Sequence, residues 1–549
     1  MTTALAAPAA APVTGRAAAN GMAGLGTMVR LVYRRNRVRL LVWFYVLVVM
    51  YAYIAMYYKT LFPTQQSLDD FAATAGTPAI KAITGMAAAA NTMGGAVWTK
   101  GWMAIVVTLA LVVVFLVTRS GRADEEAGRT ELLRSRMLGT HAYSVASWLV
   151  NLVLCVITGL GIAIVSIVAK LDPPGAGHMG SLVLGASVVG VGLVGLGVAA
   201  VAGQITTTSR AANSLGATVI VVLYVLRMAG DLSNGVLTWI SPIGWGQHMQ
   251  PYGVDRWWPF AMLVVLAALL LAVAWWLESR RDLGAGLLVD RPGEPAAPAR
   301  YASPLGLALR LERNPIIGWT IGIVLAGLVF GSVARSMSTF MSDASQGTQE
   351  LLRGSGVVAV VSLLVSMMAL ITLIFALQTT VSLRSDEASG IIEPQLAGAV
   401  SRWRWSLQRL AIPVVWSAVM LALGGLVTGL FYGASVHDMS QAVRLMGAAL
   451  AYWPAVLVFV GLAVALWGWV PRVAIPIAWG VMAAMWFLTM FGEVFRLPQW
   501  FLNAMPLAAT PYLPQAAMSW TPLAIMTVIA VVLGWLGIFR FSRRDITPA

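Results

Sequence analysis

The chain has 549 residues, of which 59% are hydrophobic and only 11% are Asp, Glu, Lys or Arg, under half the roughly 25% of an ordinary soluble domain, and this excludes a water-soluble globular fold. The net charge of +14 would raise nucleic acid as a partner for a soluble protein, but the arginines lie between apolar runs, where they set membrane topology; no nucleic acid is expected. The single cysteine, Cys155, excludes a disulfide within the chain and a cysteine metal site, and the four histidines show no ligand spacing.

Residues 1–26, rich in Ala, Pro and Gly, read as a disordered cytoplasmic tail, since no basic stretch precedes an apolar signal core. A basic segment follows at 27–39. Apolar windows then predict spans at 38–58, 101–118, 143–169, 180–204, 213–230 and 257–277, and again at 316–335, 357–381, 406–432, 443–469, 473–491 and 520–540. The runs are about twenty residues long and lack a period of two, so the expectation is an all-α polytopic membrane protein of about twelve helices. Most Lys and Arg fall on one side if both termini are cytoplasmic, which places the chain in the plasma membrane as an N-in, C-in multi-pass protein. The outer segment 59–100 is long and a candidate lid.

The two halves repeat. Thr118-Arg119-Ser120-Gly121-Arg122-Ala123-Asp124-Glu125 is similar to Thr380-Val381-Ser382-Leu383-Arg384-Ser385-Asp386-Glu387 at an offset of 262, continuing through Gly128 with Gly390 and Glu131 with Glu393. Ser279-Arg280-Arg281-Asp282 returns as Ser542-Arg543-Arg544-Asp545 at 263, and so do Trp257 and Pro259 as Trp520 and Pro522. Six spans per half make the repeat parallel. The first half then covers 27–278 and the second 313–549, joined by a Pro-rich cytoplasmic linker at 279–312.

The segments after the second and eighth spans, near 122–136 and 384–400, are dense in charge. Glu125 and Arg129 are spaced i,i+4 in the favourable order, and Leu132 and Leu133 give one apolar side. Gly121, Asp124, Gly128 and Arg129 superficially match the loop motif of major-facilitator transporters, but the Asp-to-Gly spacing is one too long and Ile391 stands where the second copy needs a base. The Glu-x-x-Gly-x-x-Glu pattern, with Ser401-Arg402 after the second copy and Gly139-Thr140 after the first, resembles instead the permeases of type V ABC exporters. With the fused halves and the Ser-Arg-Arg-Asp endings, residues 30–546 resemble the tetronasin-type exporters of polyketide antibiotics in actinobacteria.

That resemblance implies an efflux permease for hydrophobic drugs or antibiotics. Segment 27–39 would be an interfacial helix. The two acidic segments would be coupling helices, with Arg122, Glu125, Gly128 and Glu131 in one and Arg384, Glu387, Gly390 and Glu393 in the other, each seated in one of two separate ATPase subunits. No Gly-x-x-x-x-Gly-Lys-[Ser/Thr] occurs in the sequence, so ATP and Mg belong to those partners; no cofactor or metal is expected on this chain, and no catalysis. The family lines its path with the second and fifth helices of each half, which implies Tyr224, Arg227, Met228, Met367, Met368, Met482, Met485, Trp486 and Met490, an adaptable methionine and aromatic surface. Arg227, with Asp231 one turn on, either snorkels to the outer interface or meets acidic substrate groups. The alternatives are an ion-coupled secondary efflux transporter, which lacks midplane carboxylates here, and a membrane enzyme, for which His437, Asp438 and Glu493 form no set.

Overall fold

The computed structural model describes residues 21–76, 81, 84–134, 138–231, 235–282, 284–287, 298, 301, 303–343, 356–398, 400–491, 498, 500–501 and 504–546, and every regular element among them is helical. The chain divides into two compact units, Met1–Pro292 and Gly293–Ala549. Eleven helices among the described residues are long and apolar enough to cross a membrane, which makes this a polytopic α-helical membrane protein. The expected span at 473–491 forms the helix Ala474–Phe491, of which the fully described apolar part, Ala474–Met485, is shorter than a crossing requires.

Unit 1 runs α1 (Leu25–Leu61), α2 (Gln65–Ala75), α3 (Met93–Arg119), α4 (Arg122–Glu126), α5 (Arg129–Arg134), α6 (Ala142–Val168), α7 (Met179–Ile205), α8 (Ser209–Asp231), α9 (Val236–Ile240), α10 (Pro242–His248) and α11 (Trp258–Arg280). Two boundaries depart from the expected ones. The basic segment is not a separate interfacial helix; it continues into the first span as one 37-residue helix, about 55 Å long at 1.5 Å per residue. No proline and no glycine after Gly26 interrupts it, so nothing in the backbone breaks it. Residues 21–24 also belong to the fold: Gly139 N donates to Ala23 O and His141 N to Gly21 O. The remainder of the expected tail, 1–20, lies outside the described residues.

The α7 helix is the hub of unit 1, packing on α3, α6 and α11. Lipid supplies no hydrophobic drive between helices, so close approach through small residues does the work. At the α6–α7 crossing, Gly159 and Gly185 face each other so closely that a Cβ on either would lie 2.5–2.6 Å from the other's carbonyl oxygen. Gly185→Val is expected to cost at least the 1–3 kcal/mol or so of an overpacked core, read as lost monodispersity and a lower melting temperature in detergent; wild-type values would contradict this crossing.

Unit 2 runs α12 (Pro304–Asp343), α13 (Gly356–Ala388), α14 (Ile392–Leu396), α15 (Arg402–Val436), α16 (Ser440–Leu450), α17 (Trp453–Trp469), α18 (Ala474–Phe491), α19 (Pro506–Ala509) and α20 (Trp520–Arg543). The expected span 443–469 is thus two helices meeting at Ala451-Tyr452, where Pro454 occupies the first turn of α17 and cannot donate back into α16. Here α17 takes the central place, packed on α13 and α20; a Cβ on Gly468 would meet the Gly537 carbonyl oxygen at 2.3 Å. The linker is shorter than 279–312, since α11 reaches Arg280 and α12 begins at Pro304; Pro292 to Pro295 lie outside the described residues.

Candidate functional site: a buried Arg–Glu–Arg cluster in each unit

In unit 1 the acidic segment breaks twice. Gly121, at φ −137° and ψ −94°, ends α3 and offsets α4, and Gly128, at φ +69°, separates α4 from α5. Unit 2 has Leu383 in place of Gly121, so α13 continues straight through Arg384 and Glu387 to Ala388 before Gly390, at φ +75°, turns the chain into α14. Both motif glycines occupy the left-handed region that L side chains rarely adopt. A Cβ at either would touch nothing within 4 Å, so alanine at 128 or 390 is expected to cost only the conformational penalty of about 1–2 kcal/mol. Equilibrium unfolding of the two variants checks this, and an Ala cost near zero would refute it.

The first motif glutamate turns inward. Glu125 accepts from Arg122 Nη1 at 2.7 Å and from Arg281 Nη1 and Nη2 at 2.9 and 2.6 Å, and its side chain is 7% exposed. Arg122 Nε also donates to Thr207 O at 2.9 Å, and Arg281 Nε to Gln204 Oε1 at 2.5 Å. In unit 2, Glu387 is fully enclosed. It accepts from Arg544 Nη1 and Nη2 at 2.5 and 2.8 Å and from Trp467 Nε1 at 2.7 Å, with Arg384 Nη1 at 3.5 Å. Trp467 stands 263 residues after Gln204, as Arg544 does after Arg281. Each cluster therefore joins three elements: the acidic segment, the fourth span and the end of the sixth. The forked guanidinium makes Arg281 and Arg544 bidentate partners.

The neighbouring aspartates tie in further helices. Asp124 accepts from Arg35 Nη2 at 2.8 Å as well as from Arg35 Nη1 and Tyr143, and lies 3.1 Å from Arg129 Nε, which clamps α1, α5 and α6 together. Asp386 pairs with Arg409 of α15. Ser120 and Ser382, at the repeat offset, are each held by the first helix of their unit, through Asn36 at 2.8 Å and Glu312 at 3.0 Å.

Glu125 and Glu387 are thus engaged inside their own units, and the expectation that both acids reach out to a partner is corrected: a carboxylate buried against two arginines is not available at the surface. The second motif glutamates, Glu131 and Glu393, are exposed, beside exposed Leu132 and Ile391. Arg136, at the end of the expected 122–136 helix, lies outside the described residues. The difference after the two motifs is internal as well. Ser401 caps α15 by accepting from Arg404 N at 3.3 Å, and Arg402 donates to Phe541 O and Arg544 O at 3.3 and 2.5 Å. In unit 1 Gly139-Thr140 offers no such base, and His141 and Ser144 hold Glu278 at the end of α11 instead, at 3.0 and 2.7 Å.

The residues expected along a path are placed as follows. In unit 1, α3 packs on α8, with Gly216 against Val114, and Tyr224 and Met228 are half-buried. Arg227 is fully buried. It donates to Asp231 Oδ2 at 3.0 Å and to Lys81 O at 3.3 Å, and lies over the Tyr224 ring at 4.7 Å; Asp231 also accepts from Thr238 and Gln247 at 3.0–3.2 Å. The burial corrects the expectation that Arg227 snorkels to the interface, while its expected pairing with Asp231 holds. The segment 59–100 is not a bare loop, since α2 and the start of α3 lie within it, and Lys81 brings it onto Arg227. In unit 2, Met368 is buried against Gly424, Met367 is half-buried, and Met482 and Met485 pack at the core's edge where α13 meets α18. The side chains of Trp486 and Met490 lie outside the described residues. His437 ends α15 and Asp438 caps Ser440 N at 3.0 Å; the bonds from Ser440 and Gln441 hold the Asp438 carboxyl below its ordinary range, a turn-forming role rather than a catalytic one. Glu493 lies outside the described residues.

In the sequence Arg281 and Arg544 stand out only as recurring positions, and nothing there points to Gln204 or Trp467. The usable signal was a base recurring at the offset of the motif acid. A family model described as the C-terminal domain of the multidrug efflux system permease Rv1217c matches residues 301–542. The multidrug efflux system permease protein Rv1217c of Mycobacterium tuberculosis is 33% identical over 535 residues, 96% of each chain. The two clusters belong, accordingly, to a chain of the multidrug efflux permease family that Rv1217c represents.

Proposed function

We propose that this chain is the permease of an ATP-driven exporter that moves hydrophobic drugs or antibiotics out of the cell, with two separate ATPase subunits seated on its acidic segments. The observation that carries this reading is the pair of buried Arg–Glu–Arg clusters. An ATPase that pushes a surface segment moves substrate only if that segment is rigidly joined to transmembrane helices, and each cluster makes that joint to two of them. The relative's name supplies the efflux and multidrug part. Exposed Glu131 with Leu132, and Glu393 with Ile391, supply an acidic and apolar face at each segment for a basic, grooved partner. Both termini and these segments are then cytoplasmic, and the type V, tetronasin-like assignment follows the motif. The ion-coupled alternative has no support from a buried midplane carboxylate among the described residues.

The test is copurification from the native host followed by drug-stimulated ATP hydrolysis. The chain alone is expected to hydrolyse no ATP, and Glu131→Lys with Glu393→Lys to weaken partner retention by about tenfold. Exposed single pairs contribute only about 0.2–1 kcal/mol, so both sites are changed and made repulsive. Turnover by the isolated chain, or full retention and efflux in the double variant, would overturn the reading.

A further inference from the structure

The two units differ at one point beside their clusters. In unit 1, Glu126 reaches the start of α8, where its Oε2 accepts from Ser209 N at 3.0 Å and Ser209 Oγ at 2.6 Å, and the charges of Arg122 and Arg210 act on it. Unit 1 thus carries its own carboxylate at the mouth of a helix, flanked by two bases, where a helix N-terminus favours negative charge. At the repeat offset of 262, unit 2 keeps both bases as Arg384 and Arg472, but Glu126 becomes Ala388 and Ser209 becomes Pro471. What stands there is an open pocket of about 500 Å³, lined by Arg384, Ala388, Ser389, Arg472, Ile475 and Pro476.

Arg384 pairs with Glu387 at 3.5 Å beside the bidentate Arg544, whereas Arg472 is exposed and among the described residues no salt bridge joins it to a carboxylate. We propose that this pocket binds the phosphate of an anionic phospholipid headgroup, in the place where unit 1 uses the Glu126 carboxylate. Three observations favour a lipid. The pocket lies at the ends of two apolar helices, α13 and α18, as a headgroup site at the edge of a bilayer would. Its walls mix two guanidiniums with Ala, Ile and Pro, as a headgroup and its glycerol backbone require. Basic pockets between transmembrane helices are also the usual seats of such headgroups. The inference does not depend on the energy source of transport.

The experiment uses the full delipidated chain in detergent, titrated with phosphatidylglycerol and counted by native mass spectrometry, with phosphatidylcholine and inorganic phosphate as parallel probes. Phosphatidylglycerol is expected to bind, and Ala388→Glu, which restores unit 1's own carboxylate, to weaken it by about tenfold or more, the scale of one charge-assisted contact. Arg472→Gln should do the same and Arg472→Lys should retain most of the binding. Glu126→Ala should open the unit 1 position and add one bound lipid. Because unit 1 tolerates the acid, Ala388→Glu is expected to fold, checked by an unchanged elution volume. Should the variant misfold, Arg472→Gln against Arg472→Lys decides alone. Binding that is indifferent to Ala388→Glu and Arg472→Gln overturns the proposal. So does equal binding of phosphatidylcholine, or saturation by inorganic phosphate with no preference for the lipid. Loss of a copurifying protein with lipid binding unchanged would assign the pocket to a protein carboxylate and overturn it as well.

Discussion

Glu387→Ala is expected to abolish efflux and to lower stability by about 3–5 kcal/mol, the cost of leaving a buried charge without its partner. Its carboxylate is fully enclosed and satisfies Arg544, Arg384 and Trp467 together. Truncation removes the carboxylate that two guanidiniums and an indole N–H share and cuts the joint between α13, α17 and the end of α20. Glu125→Ala should act in the same direction but less, since the Glu125 side chain is 7% exposed where that of Glu387 is fully enclosed. Stability and coupling separate in a triple variant, Arg384→Met, Glu387→Leu and Arg544→Met. Replacing a whole buried ion cluster by apolar groups is often neutral or stabilising, so thermal stability should return while drug efflux, read as host resistance, stays lost. A Glu387→Ala protein that melts and exports like the wild type would remove the cluster from the mechanism; a triple variant that regains export would reduce it to a structural device.

The second large effect is expected at Arg227. Arg227→Met leaves Asp231 buried with Thr238 and Gln247 as its donors among the described residues and takes one of the donors from Lys81 O, again at about 3–5 kcal/mol. Arg227→Lys should recover only part of this, since one ammonium does not reproduce a guanidinium that reaches Asp231, Lys81 O and the Tyr224 face together. The double variant Arg227→Met, Asp231→Leu should regain most of the lost stability, which a double-mutant cycle reads directly. Additive losses in that cycle would mean that the pair does not interact as its 3.0 Å separation indicates. This result also bears on the substrate path. A sealed arginine binds no acidic substrate, so the single variant should lose neutral and acidic drugs alike.

The span pattern was legible because a bilayer enforces it: about twenty apolar residues are needed wherever a helix crosses, and lipid-facing positions cannot be traded against packing. Hence eleven of the expected spans each meet a single helix, the first and seventh beginning about a dozen residues earlier than expected, and the tenth is divided at Pro454. The breaks at the motif glycines were not legible: residues 122–136 read as one helix, yet Gly128 and Gly390 both turn the chain at positive φ. The direction in which the motif glutamates point was not. Glu125 and Glu131 look alike in sequence, and only the return of Arg281 to the same place, more than 150 residues later, makes one a buried anchor and leaves the other at the surface.

By itself, then, the sequence determined the membrane class, the approximate spans and the repeat at 262–263, because these follow from hydropathy and from the direct recurrence of residue types, which need no knowledge of three-dimensional contacts. Only the tertiary structure decided which charges are paired, that Gln204 and Trp467 serve the same place with different chemistry, that Arg227 is sealed, and that unit 2 has an open pocket beside Arg472 where unit 1 has Glu126 bonded to Ser209. Those outcomes depend on side chains brought together from distant helices, and a pairwise electrostatic contact of a few ångströms leaves no trace in local composition.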